Sequence, residues 1–502
     1  MRTICAIIKD EHDYLKEWVD YHLGIGFNSI YLFEDKDSKS HENIIKDYNN
    51  VYLRRYEIDI EVQTLLEAQG NCSRQKVLYS WFADNYKDKY EWVAFIDLDE
   101  FIFFSNDYNL DKLCEEFKEY PAVLLNWKMI GADKRICHTY SNIIDSYHED
   151  CGFSGNDKEY AHKSFVNLKK YKGFSTHHKA IDSVNTNHTK NSNELFYNKC
   201  WLNHYFTKSW EDWCTRIFQR GGTLNGHRTL NLFFNYNKDM SNMQKKLTDS
   251  VSHNIPNGTY YIDKENGLIA GGNVKEITEL NNKTNKLIFD LGFYNGDTSK
   301  TFLEKGYKVV GVECNPNLKL KNEQNYLDYI INDKLVLIDK CISDKDDEQI
   351  SFYLSKFPIW NSTNINIAER KEKSKEIKVL TTTLKSLIEK YGCPDYCKID
   401  IEGNDVLAVR SLKDLKQIPK YISVETECLG KDEKVKINMI DELHNVGYTK
   451  FLFVNQKLIN NFTFDFNNQY DWIDYHQAQE SLKDLQQLNW DYGVWADLYA
   501  TY

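Results

Sequence analysis

The sequence predicts two α/β domains in series, each built on a mainly parallel sheet. Strand, helix and strand patterns alternate from the apolar run Thr3–Ile8 onward, and a second alternation begins at Leu287. Alternating strands and helices are typical of layered folds with parallel sheets. A chain of 502 residues is also too long for one ordinary hydrophobic core. The halves share no internal repeat, so we expect two different domains.

The elements of the first half follow from apolar runs and helical spacing. Thr3–Ile8 has the pattern of a buried strand, and the segment Asp13–Leu23 carries Leu15, Trp18 and Val19 on one helical side. The further predicted elements are a strand over Ser29–Phe33, a long helix over Glu61–Tyr86, a strand over Trp92–Ile96 and a strand over Ala122–Trp127.

The second half has the same kind of alternation. A strand from Leu287 to Asp290 precedes a helix over Thr298–Lys305, which Gly306 ends. The later predicted strands are Lys308–Val312, Leu335–Ile338, Lys398–Ile401 and Tyr421–Val424. Between about residue 237 and residue 285 the pattern weakens and polar residues dominate. We therefore place the domains at residues 1–240 and 286–502, with a linker or connecting subdomain at 241–285.

Composition limits the function classes. A formal net charge of −12 argues against binding along a nucleic-acid backbone, since no basic face is implied. No apolar run approaches the length of a membrane span, so we expect no integral membrane segment. The 12 cysteines have no framework spacing. Reduced thiols and a cytoplasmic location are the simplest expectation.

The segment Asp97-Leu-Asp99-Glu100 is the first candidate for chemistry. It lies between the apolar runs Trp92–Ile96 and Phe101–Phe104, so its acids should mark the end of a buried strand. Open α/β sheets bind ligands at that edge, and two carboxylates there can hold a divalent cation that neutralises a sugar-nucleotide diphosphate. An acidic turn in solvent is the alternative, because Asp-x-Asp is common on its own.

Further motifs follow in order along the first 235 residues. They are Lys9-Asp-Glu11, Tyr14-Leu15, Glu17-Trp18-Val19, Tyr21-His22, Gly26, Tyr31-Leu-Phe-Glu-Asp35, Leu124-Leu-Asn-Trp127, Lys163-Ser-Phe and Asn203-His204-Tyr205-Phe-Thr-Lys208-Ser209. Together with Asp97–Phe101 this ordered set resembles the GT-A glycosyltransferases of the family-two-like and family ninety-two group. The resemblance implies a UDP- or GDP-sugar donor, Mn²⁺ or Mg²⁺, and transfer to a sugar hydroxyl of a glycan or glycoconjugate acceptor.

The same resemblance implies roles for single residues. Glu11 and Asp35 would line the nucleoside pocket, while Asp97 and Asp99 would hold the metal ion. His204 is the natural third ligand, because an imidazole can join two carboxylates on Mn²⁺. A hydrogen-bonded core histidine is an equally good interpretation of His204, and the pair His177-His178 is a second candidate ligand.

The remaining candidates in this half concern the diphosphate and the proton of the acceptor. Arg74 and Lys208 could meet diphosphate oxygens, although basic residues are more often solvated. Inverting members of the family need a carboxylate base near the acceptor. Glu100 and the pair Glu211-Asp212 are available, and the sequence does not choose between them.

A second constellation opens the other half. The strand that ends at Asp290 is followed by Gly292, Asn295 and Gly296, and the next strand ends on Glu313. The glycines let backbone approach a ligand, and an acid at the second strand tip can accept both ribose hydroxyls. The spacing Asp-x-Gly-x-x-x-Gly differs from the pattern that holds a pyrophosphate. A ribose-bearing cofactor without phosphate, S-adenosylmethionine, fits better.

Two later motifs make this half specific. The run Thr381-Thr-Thr-Leu-Lys-Ser-Leu387 precedes Lys398-Ile-Asp400-Ile-Glu402-Gly403, and together with the opening they resemble FkbM-type methyltransferases over residues 285–455. The resemblance implies S-adenosylmethionine bound by Asp290, Gly292, Asn295, Gly296 and Glu313, with the methyl group passed to a hydroxyl oxygen. One departure is Phe293-Tyr294, where the family has smaller residues.

Four further residues of this half are candidates. Asp339 and Cys341 lie at a third strand tip and could contact the cofactor. Asp400 and Glu402 would share one face of a strand, where they could bind a metal ion, orient the acceptor or accept its proton. Capping the next helix is the alternative for this pair. Trp360 could stack on a sugar, although buried packing is the commoner use of an aromatic residue.

The leading hypothesis is a bifunctional glycan-building enzyme. The first half would add a sugar, and the second would O-methylate a sugar hydroxyl. The alternatives are one catalytic head with a second domain that only binds, or a non-catalytic scaffold.

Overall fold

The computed structural model describes residues 1–34, 38–55, 74–152, 161–176, 179–185, 199–218, 230–248, 260–262, 269–271, 286–413, 415–425, 439–455, 464–487 and 496–502. The chain divides into two compact units. The first comprises Met1–His138, Ile143–Gln244 and Tyr261–Ala270, and the second Thr139–Asn142, Lys245–Tyr260 and Gly271–Tyr502. Asp35 and His177-His178 lie outside the described residues. Within the described residues, none of the helices combines the length and the apolar character needed to cross a membrane.

The first unit is built on a nine-stranded mixed sheet of order β3-β2-β1-β4-β7-β6-β9-β5, with β8 beside β6. Its strands are β1 (Arg2–Ile8), β2 (Ser29–Glu34), β3 (Val51–Arg55), β4 (Trp92–Phe95), β5 (Glu100–Phe104), β6 (Ala122–Met129), β7 (His162–Asn167), β8 (Val184–Asn185) and β9 (Cys200–His204). Its helices are α1 (His12–Gly24), α2 (Glu42–Ile45), α3 (Arg74–Tyr86), α4 (Leu110–Glu116), α5 (Ile143–Ser146), α6 (Trp210–Phe218) and α7 (Leu230–Tyr236), followed by a 3₁₀ turn over Lys238–Met243.

The predicted early elements are confirmed. Helix α1 buries Leu15, Trp18 and Val19 against the sheet, as its apolar spacing indicates. The strands β3, β2, β1 and β4 are parallel, whereas β7 runs antiparallel to β4 and to β6. The expectation of a mainly parallel sheet therefore holds for one side of this sheet only. The predicted helix over Glu61–Tyr86 is described from Arg74 onward.

The predicted linker is described in part. Its described residues include two short strands, β10 (Tyr260–Ile262) and β11 (Ile269–Gly271), which pair with each other.

The second unit holds an eight-stranded sheet of order β14-β13-β12-β18-β19-β22-β20-β21 and a three-stranded sheet of order β15-β17-β16. Its strands are β12 (Leu287–Leu291), β13 (Lys308–Val312), β14 (Leu335–Ile338), β15 (Cys341–Ile342), β16 (Gln349–Leu354), β17 (Lys375–Thr382), β18 (Tyr396–Ile399), β19 (Tyr421–Glu425), β20 (Lys450–Asn455), β21 (Ile473–Asp474) and β22 (Ala496–Thr501). Its helices are α8 (Asp297–Glu304), α9 (Pro316–Asn325), α10 (Leu327–Ile331), α11 (Ile365–Ala368), α12 (Leu384–Tyr391), α13 (Asp405–Arg410), α14 (Met439–Asn445) and α15 (Tyr475–Gln487), with a 3₁₀ turn over Pro358–Trp360.

The larger sheet of the second unit is parallel from β14 to β19, and β22 then joins it antiparallel. In a parallel sheet the carboxyl ends of the strands share one edge, where open α/β folds bind their ligands. The tips of β12, β13, β14, β18 and β19 therefore define where the second site must lie.

A disulfide corrects the expectation of reduced thiols. Cys314 and Cys341 are bonded, with their Cα atoms 4.9 Å apart. They follow β13 and open β15, so tertiary folding brings together two cysteines whose spacing in the sequence is uninformative. Among the described residues, Cys5, Cys114, Cys151, Cys214, Cys393 and Cys397 are free thiols.

Candidate functional site

The first candidate site lies in the loop between β4 and β5. Strand β4 ends at Phe95, and Asp97 and Asp99 precede β5, which begins at Glu100. The prediction that these acids mark a strand end is confirmed. The segment is not the alternative, an acidic turn in solvent, since Asp99 is 5% exposed and Glu100 is fully buried. Buried acids need partners that compensate for the loss of solvent. The segment is therefore held in a specific arrangement and is not a solvated turn.

Asp97 and Glu100 share a buried lysine. Lys163 Nζ lies 2.7 Å from Asp97 Oδ2 and 3.8 Å from Glu100 Oε1, and Gln75 Nε2 donates to Asp97 Oδ1 at 3.0 Å. The amide of Asp97 donates to Glu100 Oε2 at 2.9 Å. Burial raises the pKa of Glu100 well above its usual range. Burial alone would lower the pKa of Lys163, but Asp97 and Glu100 raise it. Lys163 therefore remains a cation, and Glu100 braces the loop.

Asp99 has different partners. Its Oδ2 accepts a hydrogen bond from Arg216 Nη1 at 2.9 Å and lies 3.6 Å from His204 Nε2. Arg216 also donates to the carbonyl oxygen of Phe206 at 2.9 Å. Although burial opposes ionisation, Arg216 and His204 hold the pKa of Asp99 well below its usual range. Burial lowers the pKa of His204, which favours the neutral imidazole that metal ions bind.

The donor set fits a divalent cation. Asp99, Glu100 and His204 each offer a ligand atom within 4.8 Å of the others, and all three residues are buried. Among the described residues, His204 Nδ1 and Glu100 Oε1 have no hydrogen-bond partner, although Lys163 is near the latter. Carboxylate oxygens with one imidazole suit Mn²⁺ or Mg²⁺. Asp97, a predicted ligand, is outside this group.

Lys208 and Glu11 lie together in the same unit. Lys208 Nζ is 3.7 Å from Glu11 Oε2 and 4.0 Å from the centre of the Tyr14 ring. Lys208 adopts a φ of 51°, which is uncommon for a residue with a side chain. A buried lysine held this way is a suitable partner for an anionic ligand. The side chain of Arg74 lies outside the described residues.

The predicted base candidates Glu211 and Asp212 open helix α6 and differ in environment. Asp212 accepts hydrogen bonds from His138 Nδ1 at 2.6 Å, Ser209 Oγ at 2.7 Å and the Tyr14 hydroxyl at 3.2 Å. Burial opposes ionisation, yet His138 holds the pKa of Asp212 well below its usual range. Glu211 is exposed and accepts a hydrogen bond from the His138 amide at 2.7 Å.

The second candidate site is a cavity of about 280 Å³ in the second unit. It opens at the carboxyl edge of the parallel strands, as the topology requires. Its lining residues are Gly292, Tyr294, Val312, Glu313, Cys314, Lys340, Cys341, Ile342, Phe352, Pro358, Ile359, Trp360, Asn361, Thr363, Asp400, Ile401, Glu402, Asn404 and Glu425.

The first strand tip of this cavity is closely packed. Asp290 is 2% exposed, accepts a hydrogen bond from Ser299 Oγ at 2.6 Å and lies 3.4 Å from Lys398 Nζ. Gly292 has a φ of +88°, and a Cβ atom there would lie 1.8 Å from the carbonyl oxygen of Asp400. Only glycine therefore fits this position. Asp290 supports the turn from beneath and is absent from the cavity lining.

The departure Phe293-Tyr294 is accommodated by the fold. Phe293 is 2% exposed, and its ring occupies the space that a Cβ atom would need at Gly296 or at Gly311. It therefore points into the core and leaves the cavity to other residues. Asn295 and Gly296, both predicted cofactor contacts, shape the start of α8 and do not line the cavity.

Glu313 lies at the tip of β13 and lines the cavity. Its two carboxylate oxygens accept hydrogen bonds from the amides of Asn315 and Tyr294, both at 2.8 Å. Burial raises the pKa of Glu313 to about 7. Each oxygen keeps a second lone pair, so the carboxylate can still accept ribose hydroxyls.

Asp339 and Cys341 separate at the third strand tip. Asp339 is fully buried and accepts hydrogen bonds from the Tyr140 amide at 2.9 Å and from Ser141 Oγ at 3.0 Å. Both donors belong to the short segment that groups with this unit. Asp339 does not line the cavity, whereas Cys341 and its disulfide partner Cys314 do.

Asp400 and Glu402 lie beyond the strand that was predicted to carry them, because β18 ends at Ile399. Their meeting with Glu425 depends on the loop, where Glu402 has a φ of 48°, and the three carboxylates come within 4.8 Å of one another. Lys398 Nζ lies 3.1 Å from Asp400 Oδ2. Burial opposes ionisation of Asp400, yet Lys398 lowers its pKa.

The partners of the acids are less evident from the sequence. Arg216 belongs to none of the motifs and reaches Asp99 from 117 residues away. Lys163 opens the motif Lys163-Ser-Phe, but the sequence does not show that it pairs with Asp97, 66 residues away. Asn404 lines the second cavity, and the Gly403-Asn404 sequence after the acidic motif is the one available hint.

The model of glycosyltransferase family 92 matches residues 3–258, and that of the methyltransferase FkbM domain matches residues 290–457. A family 92 protein of Oryza sativa subsp. japonica is 23% identical over 137 residues, 27% of this chain and 21% of that protein. One from Ricinus communis is 29% identical over 115 residues, 21% of this chain and 18% of that protein. The matched part thus spans about a fifth of these relatives' length.

Solved structures are less similar. The StiE O-MT shares 8% identity at a TM-score of 0.24 and covers 57% of this chain and 80% of its own. A SAM-dependent methyltransferase from Geobacter sulfurreducens, in complex with S-adenosyl-L-homocysteine, shares 9% identity at a TM-score of 0.22 and covers 43% of this chain and 84% of its own. TM-scores this low support no further conclusion.

The first unit thus holds the buried group of Asp99, Glu100 and His204, and the second holds a cavity at the carboxyl edge of its strands, lined by Glu313. The chain belongs to glycosyltransferase family 92. It also carries a methyltransferase FkbM domain, which supports S-adenosylmethionine as the cofactor of the second unit.

Proposed function

We propose that this chain is a bifunctional enzyme that transfers a sugar from a UDP- or GDP-sugar to a glycan and O-methylates a sugar hydroxyl. The observation that carries the first activity is the buried group Asp99, Glu100 and His204 at a strand end, in a chain of family 92. The cavity around Glu313 and Asp400 in the FkbM domain supports the second.

Mn²⁺ or Mg²⁺ would be held by Asp99, Glu100 and His204, and when bound it supplies positive charge to the diphosphate leaving group. The pair of Asp97 and Lys163 would hold that loop in place. Glu11 would contact the nucleoside, with Asp35 as the further predicted contact. Lys208, beside Glu11, would contact a diphosphate oxygen.

For transfer with inversion, we assign the proton acceptor to Glu211. The acceptor oxygen bonds to the sugar carbon, the bond from that carbon to the diphosphate oxygen breaks, and the hydroxyl proton goes to the carboxylate. Glu100 is fully buried beside Lys163, and Asp212 already accepts several hydrogen bonds. Glu211 is exposed at the start of the same helix and can meet a glycan.

S-adenosylmethionine supplies the electrophilic methyl group of the second reaction. Glu313 would hold the ribose and Gly292 would let the backbone approach the ligand, with Cys341 in the cavity wall. Asp400 would orient the acceptor hydroxyl. As the carbon–oxygen bond forms, the methyl–sulfur bond would break to leave S-adenosylhomocysteine, and the hydroxyl proton would pass to the group of Asp400, Glu402 and Glu425. Asp290 and Asp339 do not line the cavity and would support its wall through their hydrogen bonds.

The location of the protein is also part of the proposal. A cytoplasmic location follows from the sequence-based expectation, and the Cys314–Cys341 disulfide is the observation against it, since such bonds are typical of oxidising compartments. Counting alkylated cysteines in protein taken directly from its native source distinguishes these cases.

Thermal-shift titration of the full chain tests both activities. The panels are UDP- and GDP-sugars with Mn²⁺, and S-adenosylhomocysteine alone. Mass spectrometry of a glycan acceptor then shows whether a glycosyl group, a methyl group or both are added. Binding in one panel only favours the single-headed alternative, and binding in neither favours a scaffold.

A further inference from the structure

Arg216 makes the contact that this inference rests on. It lies in the last turn of α6, and its Nη1 donates to Asp99 Oδ2 and to the carbonyl oxygen of Phe206, each at 2.9 Å. Its side chain is 23% exposed, compared with 7% for that of Asp99. The guanidinium of Arg216 therefore lies between the buried carboxylate of Asp99 and the solvent.

The proposed ion and Arg216 need the same oxygen atom. Asp99 Oδ2, which accepts from Arg216, is also 3.6 Å from His204 Nε2. Bonds of about 2.1 Å to one small divalent cation place two ligand atoms roughly 3 to 4.2 Å apart. The separation of 3.6 Å suits an ion between these two atoms. A guanidinium left on Asp99 would then repel that ion at short range.

The two cations at this site differ in freedom. Lys163 is fully buried between Asp97 and Glu100, so it has no exit from its position. Arg216 is partly exposed and on a long side chain, so it can turn away without any change in the backbone. Without an ion, Lys163 balances Asp97 and Arg216 balances Asp99. An incoming ion must displace one of the two cations, and Arg216 is the one able to move.

We propose that Arg216 is an exchangeable counter-ion, which pairs with Asp99 in the free protein and moves to the donor diphosphate when a metal ion takes Asp99. The inference rests on the proposed metal-dependent glycosyl transfer. Its consequence is that metal ion and nucleoside diphosphate bind cooperatively, because the diphosphate gives the displaced guanidinium a new anionic partner. Coupling of this kind is reciprocal, so each ligand raises the affinity of the protein for the other by the same factor.

Electron paramagnetic resonance measures Mn²⁺ binding directly and needs no turnover. The full chain is titrated with Mn²⁺ alone, with UDP and with GDP. For the wild type we expect weak binding alone and binding about tenfold tighter with one of the nucleotides, a typical coupling. For Arg216→Gln we expect Mn²⁺ alone to bind about tenfold more tightly than to the wild type, and the nucleotide enhancement to shrink, because the competing charge is gone.

Two further variants keep the result interpretable. Arg216→Lys retains the charge on a shorter stem and should resemble the wild type in Mn²⁺ binding without nucleotide. Arg2→Gln removes an arginine that pairs with Asp111 outside the site, and it should leave every Mn²⁺ affinity unchanged. Unfolding curves establish that each variant is folded.

The outcomes separate the inference from the proposed function. If Arg216→Gln is folded and binds Mn²⁺ as the wild type does, with the same nucleotide enhancement, Arg216 is a fixed cross-link and the inference is wrong. If no variant binds Mn²⁺ with either nucleotide, the metal assignment itself fails.

Discussion

Glu313→Gln is the sharpest test of the proposed cofactor pocket. Glu313 is 7% exposed, and burial raises its pKa to about 7 from an ordinary value of 4.5. The folded protein therefore binds a proton at this carboxyl more readily than the unfolded chain does. The resulting stabilisation is fully present below pH 4.5 and is lost as the pH rises through about 7. Glutamine keeps the shape of the side chain and removes the titration.

The size of the effect follows from the two pKa values. A shift of one pKa unit corresponds to about 1.4 kcal/mol of unfolding free energy. Part of the change lies below pH 5, so between roughly pH 5 and pH 8 the titration of Glu313 should lower the unfolding free energy of the second unit by about 2.5 kcal/mol. Chemical denaturation at several pH values measures it. Glu304→Gln, an exposed glutamate of α8, is the matched control and should keep the wild-type slope.

Cofactor binding should show the opposite trend with pH. Only the carboxylate can accept hydrogen bonds from both ribose hydroxyls, and its population rises from about a tenth at pH 6 to about nine-tenths at pH 8. Calorimetry should therefore show that S-adenosylhomocysteine binds the wild type about tenfold more tightly at pH 8 than at pH 6. The affinity of Glu313→Gln should not change with pH. A flat wild-type profile, or an unchanged affinity in the variant, would refute the assignment of Glu313 to the ribose.

Four other predictions concern both units. Gly292→Ala should unfold or strongly destabilise the second unit, because the added Cβ would lie 1.8 Å from the carbonyl oxygen of Asp400. Gly306→Ala has a similar positive φ without a clash and should cost only about 1–2 kcal/mol, so equal losses in denaturation would contradict the prediction. Asp99→Asn should abolish glycosyl transfer and leave S-adenosylhomocysteine binding intact, and retained transfer would remove the metal assignment. Reducing the Cys314–Cys341 bond, which closes 27 residues of sequence, should cost about 3–4 kcal/mol of stability, and an unchanged unfolding curve would argue against the bond. Expressed separately, residues 1–240 and residues 286–502 should each fold and bind their own ligand; aggregation unless both are co-expressed would show that neither folds independently.

The strand tips were predictable because a local pattern determines them. An apolar run that ends in an acid fixes where a strand leaves the core, and this located Asp99 and Glu313 correctly at sheet edges. The neighbours of these acids were not predictable. The partners Lys163 and Arg216 come from distant segments, and only tertiary folding decides which cation meets which acid.

Local rules failed where backbone geometry is unusual. Strand periodicity placed Asp400 and Glu402 on one face, but β18 ends earlier and a positive φ at Glu402 redirects the chain. Phe293 departs from the smaller residues of the family, and Gly311, on the neighbouring strand, makes room for its ring in the core.

The second cavity separates its acids by environment, and this determines how methyl transfer should depend on pH. Lys398 lowers the pKa of Asp400, whereas burial raises the pKa of Glu313 to about 7. When their environments give two acids different pKa values, the acids are suited to different roles in the reaction. Asp400 stays ionised and is a weak base, which suits orienting a hydroxyl whose proton leaves late. A pH–rate profile for methylation should therefore rise near pH 7 through Glu313 alone, and Glu313→Gln should flatten it. If the rise near pH 7 persists in Glu313→Gln, another group titrates there. The base that accepts the hydroxyl proton would then determine the pH dependence of the rate.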